Sequence, residues 1–303
     1  MSNQLHLNRR HVLGGATAGA AALALAACSR TDQGGDGNGN GLLKKAQDGG
    51  TLRIAYADEA PYAYTGDDDS VTGQSVAVQL YLLDKLGISE DQVEWKLTEF
   101  DSLISGLGTN HDMVIAGMYV TPDRCEAVAF ADPDYIMPDA LLVQAGNPGG
   151  WTTLNDMAET DGVIGVMNGT SEQEVADAIF DEERINVQAN LPALILELKA
   201  GRCDAIGLTS ANLRLAAEAD PEVEVTDGFW LVDPESGEDM IGAGAAVFQP
   251  GDKDFRDAVN GELKKLLDDT AAWEGLVGEF GFTVEENHPD GLTAEDLCPD
   301  TYQ

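Results

Sequence analysis

The sequence predicts an α/β fold of two lobes joined by a two-strand hinge, with a cleft between the lobes. Apolar strand-like runs alternate with amphipathic helical patterns, and this alternation occurs in two separate stretches of the chain. Apolar segments at residues 140–145 and 243–248 flank the second stretch, so the chain is expected to cross near 142–147 and to return near 240–246. A single doubly wound sheet is the alternative, but roughly 250 residues is large for one core.

The first stretch, residues 51–117, has the order β-α-β-α-β of a three-layer unit. Val76, Leu80 and Leu83 fall on one face of its first predicted helix, and Asp101 is a candidate cap of a short second helix. The predicted strands of this stretch are residues 52–57, 93–97 and 113–116.

The second stretch has predicted strands at residues 163–167 and 205–208 and a predicted helix at 192–199. Helical patterns at 255–267 and 271–280 follow the return crossing, so they are expected to rejoin the first lobe. The predicted domains are lobe one, residues 51–142 and 243–303, and lobe two, residues 143–242.

The first 28 residues are typical of an export signal and not of a folded domain. Arg9 and Arg10 precede an uncharged stretch rich in Ala and Gly, as in a twin-arginine signal. Residues 25–28 resemble a lipobox, in which Cys28 is lipidated after cleavage; an incidental thiol in an ordinary signal peptide is the alternative. Residues 29–50 are a predicted flexible linker. The expected location is therefore the extracellular face of the cytoplasmic membrane, with a lipid anchor through Cys28.

The chain is strongly acidic, with 54 acidic and 17 basic residues and a formal net charge of −37. Such a charge excludes nucleic acid as a partner and is typical of proteins from high-salt environments, so a halophilic source is predicted. Beyond the signal, the only histidines are His111 and His288, which lie far apart and offer no metal-ligand spacing. The sequence therefore predicts neither a metal nor another cofactor.

Three cysteines follow Cys28, which is an odd number for a protein outside the cell. One disulfide and one free thiol are the simplest arrangement. Cys203 begins an apparent buried strand and is the expected free thiol. The predicted disulfide is therefore Cys125 to Cys298, which would fix the C-terminal segment to the first lobe.

Each predicted strand of the first lobe is followed by a loop that carries one aromatic residue: Tyr62, Phe100 or Tyr119. Ligands of α/β sheets bind beyond the carboxyl ends of the strands, where these loops meet. Three converging rings form a cage that favours a delocalised cation over the ring faces. The alternative is that each ring packs beneath its own loop.

Arg124 ends the run of residues 117–124 and is a candidate ligand for a carboxylate, because its planar guanidinium can make two-point contact. Thr121 could add its hydroxyl or its backbone N–H to the same carboxylate. Glu59 precedes the first aromatic, so an acid and an arginine flank the cage and suit a small zwitterion. The alternatives are a surface ion pair for Arg124 and a solvated acid for Glu59.

In the second lobe, Thr170 and Ser171 lead from a strand into a predicted helix. Their backbone N–H groups are expected to complete the anion site when the lobes close. Asn168-Gly169-Thr170 is also a glycosylation sequon, but a glycan there would obstruct the cleft. No combination of nucleophile, base and orienting group is visible, so the sequence does not predict an enzyme.

These motifs resemble the substrate-binding proteins of ABC importers for polar amino acids, and among them most of all the ectoine and hydroxyectoine binders. The resemblance implies the type II periplasmic-binding-protein-like fold and membrane permease subunits as partners. It implies that the three aromatic residues box the ligand ring, that Glu59 meets the ring nitrogens and that Arg124 takes the carboxylate. The motifs that carry it are residues 59–62, 98–104, 117–125, 280–282 and 297–298.

Thr209 is a departure from the amino acid binders, which commonly place an Asp there to hold the α-ammonium of the ligand. Its absence favours a cyclic amidinium such as ectoine, although Asn190 and Asn212 could supply polar contacts. The remaining alternatives are a polar amino acid binder of the same family, a secreted dehydratase-like enzyme on this fold, and the sensor domain of a signalling system.

Overall fold

The computed structural model describes residues 41–302 of the chain. The strands of these residues, in chain order, are β1 (Leu52–Tyr56), β2 (Tyr64–Thr65), β3 (Val71–Thr72), β4 (Val93–Leu97), β5 (Met113–Val114), β6 (Ala129–Phe130), β7 (Tyr135–Ile136), β8 (Asp139–Gln144), β9 (Ile164–Met167), β10 (Ile185–Gln188), β11 (Ala205–Thr209), β12 (Val223–Val225), β13 (Leu231–Val232), β14 (Asp239–Met240), β15 (Ala243–Gly244) and β16 (Val247–Phe248).

The α-helices are α1 (Leu42–Gln47), α2 (Gln74–Lys85), α3 (Leu103–Gly106), α4 (Pro122–Ala127), α5 (Leu154–Ala158), α6 (Ser171–Ile179), α7 (Leu191–Lys199), α8 (Ser210–Ala219), α9 (Lys253–Leu267), α10 (Thr270–Val277), α11 (Val284–Asn287) and α12 (Ala294–Leu297). Short 3-10 helices are formed by Glu90–Gln92, Phe100–Ser102, Glu182–Arg184 and Gly278–Phe280.

Lobe one is built on a five-stranded sheet of order β4-β1-β5-β16-β6. Strands β4, β1 and β5 are parallel, and β16 runs antiparallel to both of its neighbours. One core packs the large buried side chains of Phe248, Phe255 and Trp273 with helices α2, α9 and α10. A second core contains Leu103 of α3 and Cys125 of α4, so both faces of the sheet are covered.

Lobe two is built on a second five-stranded sheet, of order β10-β9-β11-β8-β12. Strands β10, β9 and β11 are parallel, and β8 is antiparallel to β11 and β12. Leu154 of α5 and Val175 of α6 belong to one core of this lobe. Leu198 of α7 and Leu213 of α8 belong to the other, so this lobe is also a three-layer unit.

Strands β7 and β15 pair antiparallel and form the two-strand hinge between the lobes. The predicted two-lobe α/β fold with a two-strand hinge is confirmed. The predicted position of the first crossing is wrong, because residues 139–144 are strand β8 in the interior of the lobe-two sheet and the crossing lies at β7. A short apolar run is compatible with a buried strand and with a crossing segment, so its pattern could not separate the two.

Two further predictions about local structure are wrong. Asp101 does not cap a helix, since it lies within a 3-10 turn and its carboxylate accepts a hydrogen bond of 2.5 Å from Asn168 Nδ2 of lobe two. The predicted linker ends earlier than residue 50, because helix α1 packs Leu42 and Leu43 against the core of lobe one. The predicted export signal, Cys28 and the linker up to residue 40 lie outside the described residues.

The cysteines of the described chain form one disulfide and one free thiol. Cys125 of α4 is bonded to Cys298, which follows α12. Cys203 is buried, and this burial raises the pKa of its thiol to about 12. The disulfide therefore ties the C-terminal segment to the helix that carries Arg124. Within residues 41–302, the helices are too short or too polar to cross a bilayer.

Removing the disulfide by the double substitution Cys125→Ala/Cys298→Ala should lower the free energy of unfolding by about 2–4 kcal/mol, because the bond closes a long loop in the unfolded chain. Urea unfolding in high salt measures the change. A reductant should destabilise the wild-type chain by a similar amount and leave the double variant unchanged. Equal stability of the oxidised wild type and the double variant would contradict this expectation.

Candidate ligand-binding site

A cavity lies between the two lobes, and we call it the cleft cavity. Eight of the nine ligand contacts predicted from the sequence line it, and Thr121 does not. The lining residues are Glu59, Tyr62, Phe100, Ala116, Gly117, Tyr119 and Arg124 of lobe one and Met167, Thr170, Ser171, Glu172, Leu208, Thr209 and Asn212 of lobe two.

Tyr62 forms a rigid wall of the cleft cavity. Its ring stacks on Tyr135, with the ring centroids 5.0 Å apart, and its hydroxyl donates a hydrogen bond of 2.8 Å to Thr209 Oγ1 of lobe two. Gly117 has a φ of +64°, and a Cβ atom at this position would lie 2.5 Å from Tyr62 Cγ. A side chain at Gly117 would therefore displace the ring.

The other two aromatic residues are held by polar contacts as well as by packing. The hydroxyl of Tyr119 donates a hydrogen bond of 2.7 Å to the carbonyl oxygen of Met137, beside the hinge. The guanidinium of Arg124 lies over the ring of Phe100, with 5.9 Å between its Cζ atom and the ring centroid. Phe100 thus contacts both the cleft cavity and the buried cation.

Arg124 is buried, with 7% of its surface exposed, and it connects the two lobes. Its Nη1 atom donates to the carbonyl oxygen of Tyr119 at 2.8 Å, and its Nη2 atom donates to that of Gly169 in lobe two at 3.0 Å. Burial lowers the pKa of Arg124, and the charges of Glu174 and Glu172 oppose this effect. The two carbonyl contacts fix the plane of the guanidinium and leave other N–H groups for a carboxylate.

Thr121 positions Arg124 instead of lining the cleft cavity. It is the N-cap of α4, and its hydroxyl oxygen accepts a hydrogen bond from the backbone N–H of Arg124 at 3.4 Å. Pro122 follows at the first position of the helix, where its missing N–H leaves no helical bond unmade. The cap therefore sets where the helix begins and, with it, the position of the guanidinium.

Glu59 is a buried carboxyl whose pKa is raised to about 8. Burial is the largest cause, followed by the charges of Asp58, Glu172 and Glu99. Asn212 Nδ2 lies 3.5 Å from one of its oxygens. At neutral pH the carboxyl is therefore largely protonated in the closed cleft, and a bound cation would favour its ionised form.

Thr170 and Ser171 stand at the start of helix α6. The backbone N–H of Thr170, predicted to bind an anion, instead donates to the carbonyl oxygen of Met167 at 3.4 Å. Thr170 is the N-cap, and its hydroxyl oxygen accepts from the backbone N–H of Gln173 at 3.4 Å. The hydroxyl oxygen of Ser171 is buried and has no hydrogen-bond partner within residues 41–302. Gly169 precedes them with a φ of +79°, and a Cβ atom there would lie 2.9 Å from Asp101 Cα of lobe one.

Thr209 takes part in a chain of hydrogen bonds across the cleft. It accepts from Tyr62 and donates to Asn212 Oδ1 at 2.5 Å, and Asn212 Nδ2 donates to the carbonyl oxygen of Ala60 at 2.5 Å. Asn190, by contrast, caps α7 and does not line the cleft cavity. Thr209 and Asn212 thus hold the closed arrangement of the lobes.

Glu172 is a lining residue that the sequence analysis did not single out. It is the second residue of α6 and is 2% exposed. One acid among 54 gives no distinctive pattern, but its place directly after Thr170 and Ser171 at a predicted helix start was the available signal. Within residues 41–302, no group of three or more His, Cys, Asp or Glu side chains is arranged to hold a metal ion.

A cavity closed by both lobes, walled by aromatic rings and flanked by a buried arginine and a buried carboxyl, is suited to a small charged solute. Together with the hinge, it defines a two-lobe binding protein that closes around its ligand. Residues 52–273 match the bacterial extracellular solute-binding proteins, family 3. The chain belongs to this family and is a substrate-binding protein of an ABC importer.

The relatives are transport proteins. The probable amino-acid ABC transporter periplasmic-binding protein y4tE of Sinorhizobium fredii is 32% identical over 262 residues, which cover 84% of this chain and 85% of that protein. The L-cystine-binding protein TcyJ of Escherichia coli is 27% identical, with 76% and 82% covered. The crystal structure of EhuB in complex with hydroxyectoine is 29% identical with a TM-score of 0.75, covering 86% of this chain and 98% of EhuB.

The raised pKa of Glu59 predicts how stability changes with pH. The folded state holds this proton up to about pH 8, whereas the unfolded chain releases it near the ordinary value of 4.5. Below pH 4.5 this group does not change the free energy of unfolding, because it is protonated in both states. Between pH 4.5 and about 8 the free energy of unfolding falls by up to about 1.4 kcal/mol per pH unit, and above this range the group causes no further loss. Glu59→Gln should abolish that part of the slope.

Urea unfolding of the ligand-free chain at several pH values in high salt measures the slope. The control is Glu218→Gln, which removes one negative charge from an exposed position on α8 and should keep the wild-type slope. A Glu59→Gln variant with the same pH dependence as the wild type would show that the Glu59 carboxyl ionises normally.

Proposed function

We propose that this protein binds a small zwitterion with a delocalised positive charge, such as ectoine or hydroxyectoine, and delivers it to the permease of an ABC importer. The observation that carries the proposal is the arrangement of the cleft cavity, in which the buried Arg124 and the buried Glu59 accompany three aromatic rings. The likeness to EhuB, whose crystal structure contains hydroxyectoine, supports the same class of ligand.

The ligand carboxylate is expected to bind Arg124 and the start of helix α6. The guanidinium offers N–H groups that its two carbonyl partners do not use. Ser171 supplies a buried hydroxyl without a partner in the described chain, and the helix start adds a partial positive charge. A carboxylate between these groups contacts both lobes.

The positive end of the ligand is expected to lie against the aromatic rings and Glu59. Ring faces attract a delocalised cation, and a carboxylate beside them accepts its N–H groups. Thr209 supplies no charge and already accepts the hydroxyl of Tyr62, so this position favours an amidinium over a primary ammonium. A polar amino acid is the second candidate, because y4tE is described as a probable amino-acid transporter component.

Closure of the two lobes is the mechanism of this function. Arg124, Thr209 and Asn212 already make hydrogen bonds between the lobes. A ligand that contacts both lobes adds to these bonds only in the closed state, so it shifts the equilibrium toward closure. The permease can then distinguish the closed protein from the open one. This role requires no covalent chemistry, and an enzyme on the same fold remains the less favoured alternative.

The proposal places the protein at the extracellular face of the cytoplasmic membrane, anchored by a lipid on Cys28 after export by a twin-arginine signal. The sequence of residues 1–28 is its basis. The charge of −37 supports a halophilic source, in which compatible solutes are an expected cargo.

Calorimetry in high salt tests the ligand class. Ectoine and hydroxyectoine should bind, whereas glycine betaine, which has no N–H group for Glu59, and polar amino acids should bind more weakly or not at all. Absence of heat with both ectoines, in a chain shown by circular dichroism to be folded, would reject this ligand class.

Arg124→Ala should weaken ectoine binding by about 2–5 kcal/mol, because it leaves the ligand carboxylate buried without its partner. Arg124→Lys should recover part of the loss, since it restores the charge but not the two-point contact. Arg202→Ala, which removes an exposed arginine paired with Glu197, is the matched control and should bind as the wild type does. Unchanged affinity in Arg124→Ala would reject Arg124 as the partner of the ligand carboxylate.

A further inference from the structure

Two buried carboxyl groups of lobe two lie beside the cleft cavity. Glu172 of α6 lines it and is 2% exposed, and Asp139, the first residue of β8, is fully buried. Asp139 is the register partner of Thr209 in the antiparallel pair of β8 and β11. Cross-strand partners of an antiparallel pair project from the same face of the sheet, so Asp139 stands directly beside a lining residue.

Each carboxyl has a buried oxygen that lacks a hydrogen-bond partner in the described chain. Both oxygens of Asp139 and Oε1 of Glu172 are buried without a hydrogen-bond partner among residues 41–302. Burial and, after it, the charge of Glu172 raise the pKa of Asp139 well above its usual range. The two groups therefore lie near each other, and burial without a hydrogen-bond partner costs free energy.

The charges around the cleft cavity do not balance. Glu59 and Glu172 line it from opposite lobes, and Arg124 is the basic residue among the lining residues. The charge of Glu172 contributes to the raised pKa of Glu59, so the two acids lie near each other. A zwitterion that used only Arg124 and Glu59 would leave the buried Oε1 atom of Glu172 without a hydrogen-bond partner among residues 41–302.

We propose that Glu172, with Asp139 behind it, is a second carboxyl anchor for the positive end of the ligand, which is held between Glu59 of lobe one and Glu172 of lobe two. This inference rests on the proposed function and specifies its ligand: a cation with N–H groups on more than one edge, as in an amidinium or a guanidinium. One carboxylate from each lobe then makes recognition of the cation depend on closure.

Glu172→Gln and Asp139→Asn test this inference by removing charge while keeping shape. Each full-length variant is titrated by calorimetry in high salt with ectoine and with L-arginine, which carries a guanidinium. Glu172→Gln should weaken binding at least tenfold, and Asp139→Asn should weaken it less because this residue acts through Glu172. Asp177→Asn removes one charge from an exposed position on the same helix and should change affinity less than twofold.

The outcomes separate the two proposals. Ectoine binding that Glu172→Gln changes less than twofold rejects the second anchor and leaves the proposed function standing. Binding of L-arginine but not of ectoine, weakened tenfold by Glu172→Gln, rejects ectoine and supports the anchor. Absence of binding of either ligand to the wild-type chain rejects both. Should Glu172→Gln fail to fold, Asp139→Asn decides: affinity within twofold of the wild type rejects the anchor.

Discussion

The placement of one buried guanidinium between the lobes is the interaction on which the rest of the site depends. Arg124 binds a carbonyl of each lobe, and the helix that carries it begins at the cap of Thr121 and is fixed by the Cys125–Cys298 disulfide. A buried cation needs such fixed partners because its desolvation is costly. The same rigidity makes it a selective partner for a carboxylate, since little has to reorganise on binding.

The acids of the cleft have the complementary role. Burial of these carboxyl groups is unfavourable: it raises the pKa of Glu59 and of Asp139, and buried oxygens of Asp139 and Glu172 have no hydrogen-bond partner within residues 41–302. A cationic ligand would supply the missing hydrogen-bond donors, and this lowers the cost of burying the acids in the closed state. A ligand that contacts both lobes therefore shifts the equilibrium toward the closed state.

Much of the fold followed from the sequence. Apolar runs such as residues 52–57 and 205–208 have the length and the pattern of buried strands. The helical patterns near residues 76 and 255 place their apolar residues on one face, which is buried. The first crossing was misplaced because residues 140–143 are apolar on both faces, and a central strand has the same pattern as a crossing segment. The prediction for Asp101 failed because its partner, Asn168, comes from the other lobe.

The sequence by itself determined the class of the protein, the loops that meet at the cleft, and which residue types stand in them. It could do so because the order of strands and helices along the chain, and the positions of the loops between them, depend on local sequence pattern. Only the tertiary structure decided that Thr209 accepts from Tyr62 and that Glu172 and Asp139 lie near each other in lobe two. Those contacts join elements far apart in the chain, and burial, which no local pattern reports, sets their energetics.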